Sequence, residues 1–145
     1  MPFNPGQVVT RTPANPTAGD AATYENAGFG AIAAPNACVM TPGSTGRVLI
    51  MWTGNVTSNA TAQTDTIQMV YGTGTAPANN TAVTGTAFGG ELAWVSLTGQ
   101  LIVPFSLVGL AIGLTVGTQY YFDLATKGSA GTVALTNMNF CAIEV

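Results

Sequence analysis

Short apolar runs recur through residues 36–145, separated by turn residues at roughly ten-residue spacing. The strongest run is Arg47–Val56, where Val48, Ile50 and Trp52 fall on one face and Leu49 and Met51 on the other. Both faces of that strand therefore read as covered. Thr66–Tyr71 alternates, with Ile67, Met69 and Tyr71 opposed to Thr66 and Gln68. Ala37–Thr41 is a shorter strand, closed by the turn-forming run from Thr41 to Gly46. Leu92–Leu97, Leu101–Leu107 and Gly109–Leu114 predict further strands, after a long polar loop over Gly72–Gly90. Gln119–Ala125 places Tyr120, Phe122 and Leu124 toward a core, with Tyr121 and Asp123 outward. In Thr132–Val145 the apolar phase runs through Val133, Leu135, Cys141, Ile143 and Val145. Asn137 and Asn139 interrupt it, which predicts a switch of face or a bulge.

No long window carries a 3.6-residue period with helix caps. The pattern predicts an all-β fold, a β-sandwich or jelly roll of about 7–8 antiparallel strands. A closed barrel fits less well, because 53–64 and 72–91 read as long loops suited to sandwich corners. Residues 1–35 carry Pro2, Pro5, Pro13, Pro16 and Pro35, which disfavour long regular elements. They are expected to form an extended, Pro-rich N-terminal arm attached to a jelly-roll domain at 36–145. Phe3, Val8, Val9, Tyr24 and Phe29 are the arm's candidate anchors, on the domain's own flank or on a neighbouring subunit.

Charge is scarce: three basic and six acidic side chains among 145 residues, and no His. An average soluble domain carries about a quarter charged residues, so much of this exterior must be hydroxyl, amide and methyl. Arg11, Arg47 and Lys127 are too few and scattered to neutralise phosphates, which argues against nucleic acid or a polybasic membrane contact. The uncharged stretch between Glu91 and Asp123 contains Pro104, Gly109, Gly113 and Gly117 and makes a poor membrane helix. The start has neither the basic nor the apolar region of a secretory signal. Cys38 and Cys141 match no zinc or redox spacing and read as free thiols, although a disulfide is compatible with neighbouring first and last strands.

Catalytic chemistry finds little support. Without His, neither a Ser-His-Asp nor a Cys-His site can form. Asp65, Glu91, Asp123 and Glu144 could pair as acid and base, but read more simply as scattered surface carboxylates. No calcium-loop pattern occurs, and Gly72-Thr73-Gly74-Thr75 is a turn rather than a phosphate loop, since no helix or Lys follows. Asn55, Asn59 and Asn79 match glycosylation patterns by composition and read as loop residues. Among Trp52, Tyr71, Trp94, Tyr120 and Tyr121, strand aromatics belong mostly to the core. Trp94 and Tyr121 are the candidate exposed aromatic surface. No catalytic, metal or cofactor site is expected.

The run from Val70 to Asn80, followed by Val83–Gly90, resembles segments of small structural proteins of tailed bacteriophages. The resemblance continues through Val103–Leu110, Gly113–Leu124, Leu135–Asn137 and Ala142–Glu144, covering about residues 46–145. It implies a jelly-roll virion module, commonly oligomeric, found on capsid exteriors and at fibre tips. With no coiled-coil or collagen-like shaft ahead of it, the expectation is a non-enzymatic capsid decoration, or cement, protein. Its partners would be the major capsid protein and copies of itself, as dimer or trimer. It would be made in the host cytoplasm and carried on the outside of the virion. The alternative is a receptor- or carbohydrate-binding knob of a head or tail fibre.

Overall fold

The alternating runs do become strands, and a computed structural model pairs them into two antiparallel sheets packed face to face. It describes residues 7–13, 17–18, 23–96 and 102–145. In chain order the strands are β1 (Val8–Arg11), β2 (Thr17–Ala18), β3 (Glu25–Asn26), β4 (Val39–Met40), β5 (Val48–Ser58) and β6 (Gln63–Thr73). They continue as β7 (Thr81–Ala82), β8 (Thr86–Ser96), β9 (Ile102–Ala111), β10 (Tyr120–Gly128) and β11 (Val133–Glu144). A 3₁₀ turn occupies Phe29–Ala31, and the described residues contain no α-helix.

One sheet runs β1-β11-β5-β9, with β2 also on β11, and the other runs β7-β3-β10-β6-β8, with β4 also on β10. Strands distant in sequence lie side by side in both sheets, which is the connectivity of a jelly-roll sandwich. Between the sheets the Trp52 ring lies 4.9 Å from Phe29 and 4.7 Å from Phe140. Phe122 of the opposite sheet reaches Phe140 at 6.1 Å, so an aromatic chain ties the two layers together. Tilted contacts of this kind add to the transfer energy of the rings themselves.

Three features differ from the reading of the sequence alone. The described part of the 1–35 segment is woven into the sheets: β1 and β2 pair with β11, and β3 pairs with β10. Its prolines do not prevent this, because edge strands and turns leave N–H groups unneeded. The connections at 53–64 and 72–91 are shorter than expected. β5 and β6 join through residues 59–62, and β8 already begins at Thr86. The predicted strand at Leu92–Leu97 is, as far as Ser96, the second half of β8; its first half reads as loop because Thr86, Ala87, Gly89 and Gly90 are exposed and show little apolar alternation. Leu101–Leu107 and Gly109–Leu114 contribute to a single strand, β9, unbroken through Gly109.

The anticipated break in the last strand is present. Register with β5 shifts between Thr136 and Asn139, and Asn137 adopts a left-handed φ of 52°. Val133 and Leu135 face the core before the bulge, whereas Phe140 and Ala142 do so after it. Cys141 and Ile143 are thereby turned to the outer face.

Phe29→Ala is expected to lower unfolding stability by about 3–5 kcal/mol, the usual loss for a fully buried aromatic. Urea denaturation measures this; a change within about 0.5 kcal/mol would mean that the segment carrying Phe29 is not part of the core.

Candidate functional site

The few acids are the first surprise. Asp65 and Asp123 are fully buried and Glu144 is 5% exposed, so these carboxylates are internal rather than scattered on the surface. Asp123 lies on the side of β10 away from the aromatic core, under the 3₁₀ turn. Its carboxylate accepts the backbone N–H groups of Gly28 at 3.0 Å, Phe29 at 3.1 Å and Leu124 at 2.8 Å. Burial pushes its pKa up, the three N–H groups hold it back, and it settles at about 7.

Glu144 does the same work at the other end of the chain. Its Oε2 accepts Gly43 N–H at 2.8 Å, and its Oε1 accepts Ser44 N–H at 2.8 Å and Thr45 N–H at 2.7 Å. The turn can wrap the carboxylate because Gly46 adopts a φ of 64°, where a side chain would also strike the Leu114 carbonyl. Burial alone would raise the Glu144 pKa, but the N–H groups of Thr45, Gly43, Ser44 and Gly46 outweigh it and bring the value to about 2. Asp65 accepts Gln63 Nε2–H at 2.6 Å, and the same amide nitrogen also donates to Ser58 Oγ. Burial raises the Asp65 pKa against the pull of these hydrogen bonds. Glu91 differs: it is exposed and accepts the Tyr24 hydroxyl, while Lys127 sits 4.5 Å over the Tyr24 ring. With the acids so occupied, no two of them face each other as an acid–base pair. Among the described residues no three His, Cys, Asp or Glu side chains converge as metal ligands.

The outer face of the five-stranded sheet is a surface of a different character. Alternation along β1, β11, β5 and β9 buries Val9, Ala142, Ile50 and Gly109 and turns their neighbours outward. Val8, Ile143, Leu49 and Leu110 then form one row across four strands, and Thr10, Cys141, Met51 and Val108 form the next. A third row, Asn139, Thr53 and Ser106, is polar but uncharged. Val108 is 57% exposed, and Ile102 and Ile112 at the two ends of β9 are each 62% exposed. Two charged side chains are described on these four strands: Arg11, half-buried at the end of β1 and among the walls of the hollow on this face, and Glu144, turned into the 43–45 turn; Arg47 stands just before β5. A shallow hollow of about 600 Å³ opens on this face, with Thr10, Met51, Thr53, Asn139 and Cys141 among its walls. Lys127 and Glu91 lie instead on the six-stranded sheet, so the two outer faces differ in character.

Of the anchors expected in the arm, only Val8 belongs to this face, at 58% exposure. Val9 and Phe29 are interior, Tyr24 covers the six-stranded sheet beside Lys127, and Phe3 lies outside the described residues. The expected aromatic surface is not formed. Tyr121 is 4% exposed, covered around Gly30 and Ala76, with its hydroxyl against Gly72, and Trp94 is half-buried against the core. Cys38 is buried, and both thiols are free. Sequence reasoning missed Val108, Leu110 and Ile143 as surface residues, although Leu49 and Met51 on a two-faced strand were the available signal.

Comparison with known proteins finds no matching family and no matching curated relative. Among solved structures, the chain resembles the Eiger TNF of S. frugiperda with a TM-score of 0.52 and 12% identity, covering 98% of this chain and 94% of that one. This likeness shows a shared jelly-roll fold. A structure of infectious bursal disease virus, Gt strain, aligns with a TM-score of 0.27 at 14% identity, over 97% of this chain and 41% of that one.

Glu144→Gln is expected to lower stability at neutral pH by about 1.5–3 kcal/mol, since an amide oxygen replaces two charged acceptors. Its contribution is present above pH 4.5 and is lost as pH falls toward about 2. Asp123 acts in the opposite sense. With its folded pKa near 7 against an ordinary 3.8, its contribution is complete below pH 3.8 and is lost as pH rises through about 7. Denaturant titrations across this range should show stability declining from acid toward neutral pH by roughly 2–4 kcal/mol. Asp123→Asn should flatten that decline; an unchanged slope would assign it to another group.

Proposed function

We propose that the chain is a non-enzymatic virion structural protein, a bacteriophage capsid decoration (cement) protein that binds the outside of the major capsid shell and stabilises it. The observation that carries this reading is the outer face of strands β1, β11, β5 and β9, broad and nearly uncharged, with Arg11 its one charged side chain. A broad neutral surface gains free energy by being covered, at roughly 25 cal/mol per Å² of apolar area before the costs of ordering. A jelly-roll sandwich with three of its six acids locked inside is a rigid block suited to repeated docking between neighbours in a shell. The resemblance of residues 46–145 to phage structural modules points the same way. Internal DNA pressure would then be resisted by clamping capsid subunits from outside, without contact to the DNA. A receptor- or carbohydrate-binding knob would call for an open aromatic platform, and Tyr121 is instead enclosed.

The test is addition of purified protein to capsids assembled without it, followed by pelleting and electron microscopy. Binding to the outer surface is expected, changing little between roughly 0.05 and 0.5 M salt, because few charges are available to be screened. Absence of binding, or loss of binding across that range, would contradict the proposal.

A further inference from the structure

We infer that the outer face of the five-stranded sheet is covered by a second copy of this chain, so that the neighbours the docking reading places on this face include copies of itself. The inference refines the docking reading by naming the occupant of the face, and it can be tested on the purified protein alone. It rests first on size. Three strands of about ten residues and the four-residue β1, about 4.8 Å apart at about 3.4 Å per residue, span roughly 550 Å². That is about two-thirds of the roughly 800 Å² each partner contributes to a stable interface.

Charge gives the second argument. A face that meets a copy of itself cannot carry an excess of one sign without repulsion, and a partner of other chemistry would usually be met with complementary charge. The apolar rows Val8, Ile143, Leu49, Leu110 and Met51, Val108 carry neither sign. The third argument is the edge. Among the described residues β9 is the outermost strand of its sheet, long and apolar on its outer side, and pairs with no strand beyond β5. Exposed edges of this kind are ordinarily blunted by charge or Pro, or covered, and Pro104 is the one such residue on β9. β9 carries no charged residue among its ten.

Sedimentation from about 1 µM to about 100 µM should give a defined multiple of the 14.7 kDa chain mass. Leu110→Asp, and separately Val8→Asp at the opposite edge, should shift the protein to monomer while a β-type circular-dichroism spectrum is kept. Both positions are exposed in the single chain, so neither substitution disturbs its core. Cys141 supplies a second readout that needs no variant. Its thiol lies on the face while Cys38 is buried. Its reaction with a thiol reagent should therefore slow as protein concentration rises, and run roughly tenfold faster or more in the monomeric variants. A 14.7 kDa monomer at the highest concentration, an oligomer that survives both substitutions, or a Cys141 rate independent of concentration would each overturn the inference. Binding of the Leu110→Asp monomer to capsids would leave the decoration reading standing while separating it from this contact.

Discussion

Carboxylates held by backbone amides are the interaction on which this fold depends most. A sandwich built from Thr, Ala, Gly and Asn has few charged groups to define its loops, and three of its six acids are spent inside. Asp123 fixes the turn at Gly28 and Phe29 over β10, and that turn delivers Phe29 to Trp52. Glu144 fixes the turn at 43–45 against the end of β11. Removing a carboxylate from water is expensive, and it is tolerated here because each receives several N–H donors in return. The two sites respond oppositely to protons because the balance of burial and donors differs between them.

The consequence for the exterior follows directly. With these acids internal, and with Lys127 and Glu91 on the six-stranded sheet, the outer face of the five-stranded sheet is left nearly neutral. Its alternation is apolar on both sides in β5, which an isolated sandwich has no need of. The same surface thus suits a protein that functions packed among neighbours, whether copies of itself or the subunits of a shell.

Much of the architecture could be read from the residues. Val48, Ile50 and Trp52 alternating with Leu49 and Met51 identified β5, and the Asn137–Asn139 interruption marked the bulge in β11. The absence of any helical period correctly indicated two β layers. The fate of Asp123 was harder to read, because strand parity put it outward and only the tertiary fold lays residues 28–31 over that side. Tyr121 escaped for the same reason. Glu144 looked like a terminal surface acid because its partners, Gly43 to Thr45, lie about a hundred residues earlier in the chain. The first half of β8 was obscured by its small residues, since Thr86, Ala87, Gly89 and Gly90 give no apolar phase ahead of Leu92.

The most direct measurement of the carboxylate account is residue-resolved amide hydrogen exchange. If Asp123 and Glu144 anchor the turns, the N–H groups of Gly28, Phe29, Ser44 and Thr45 should exchange only on opening events comparable to those of β10 and β11. Exchange of those four amides at the rates of unprotected loops would show that the acids hold nothing, and the account would fail at its base.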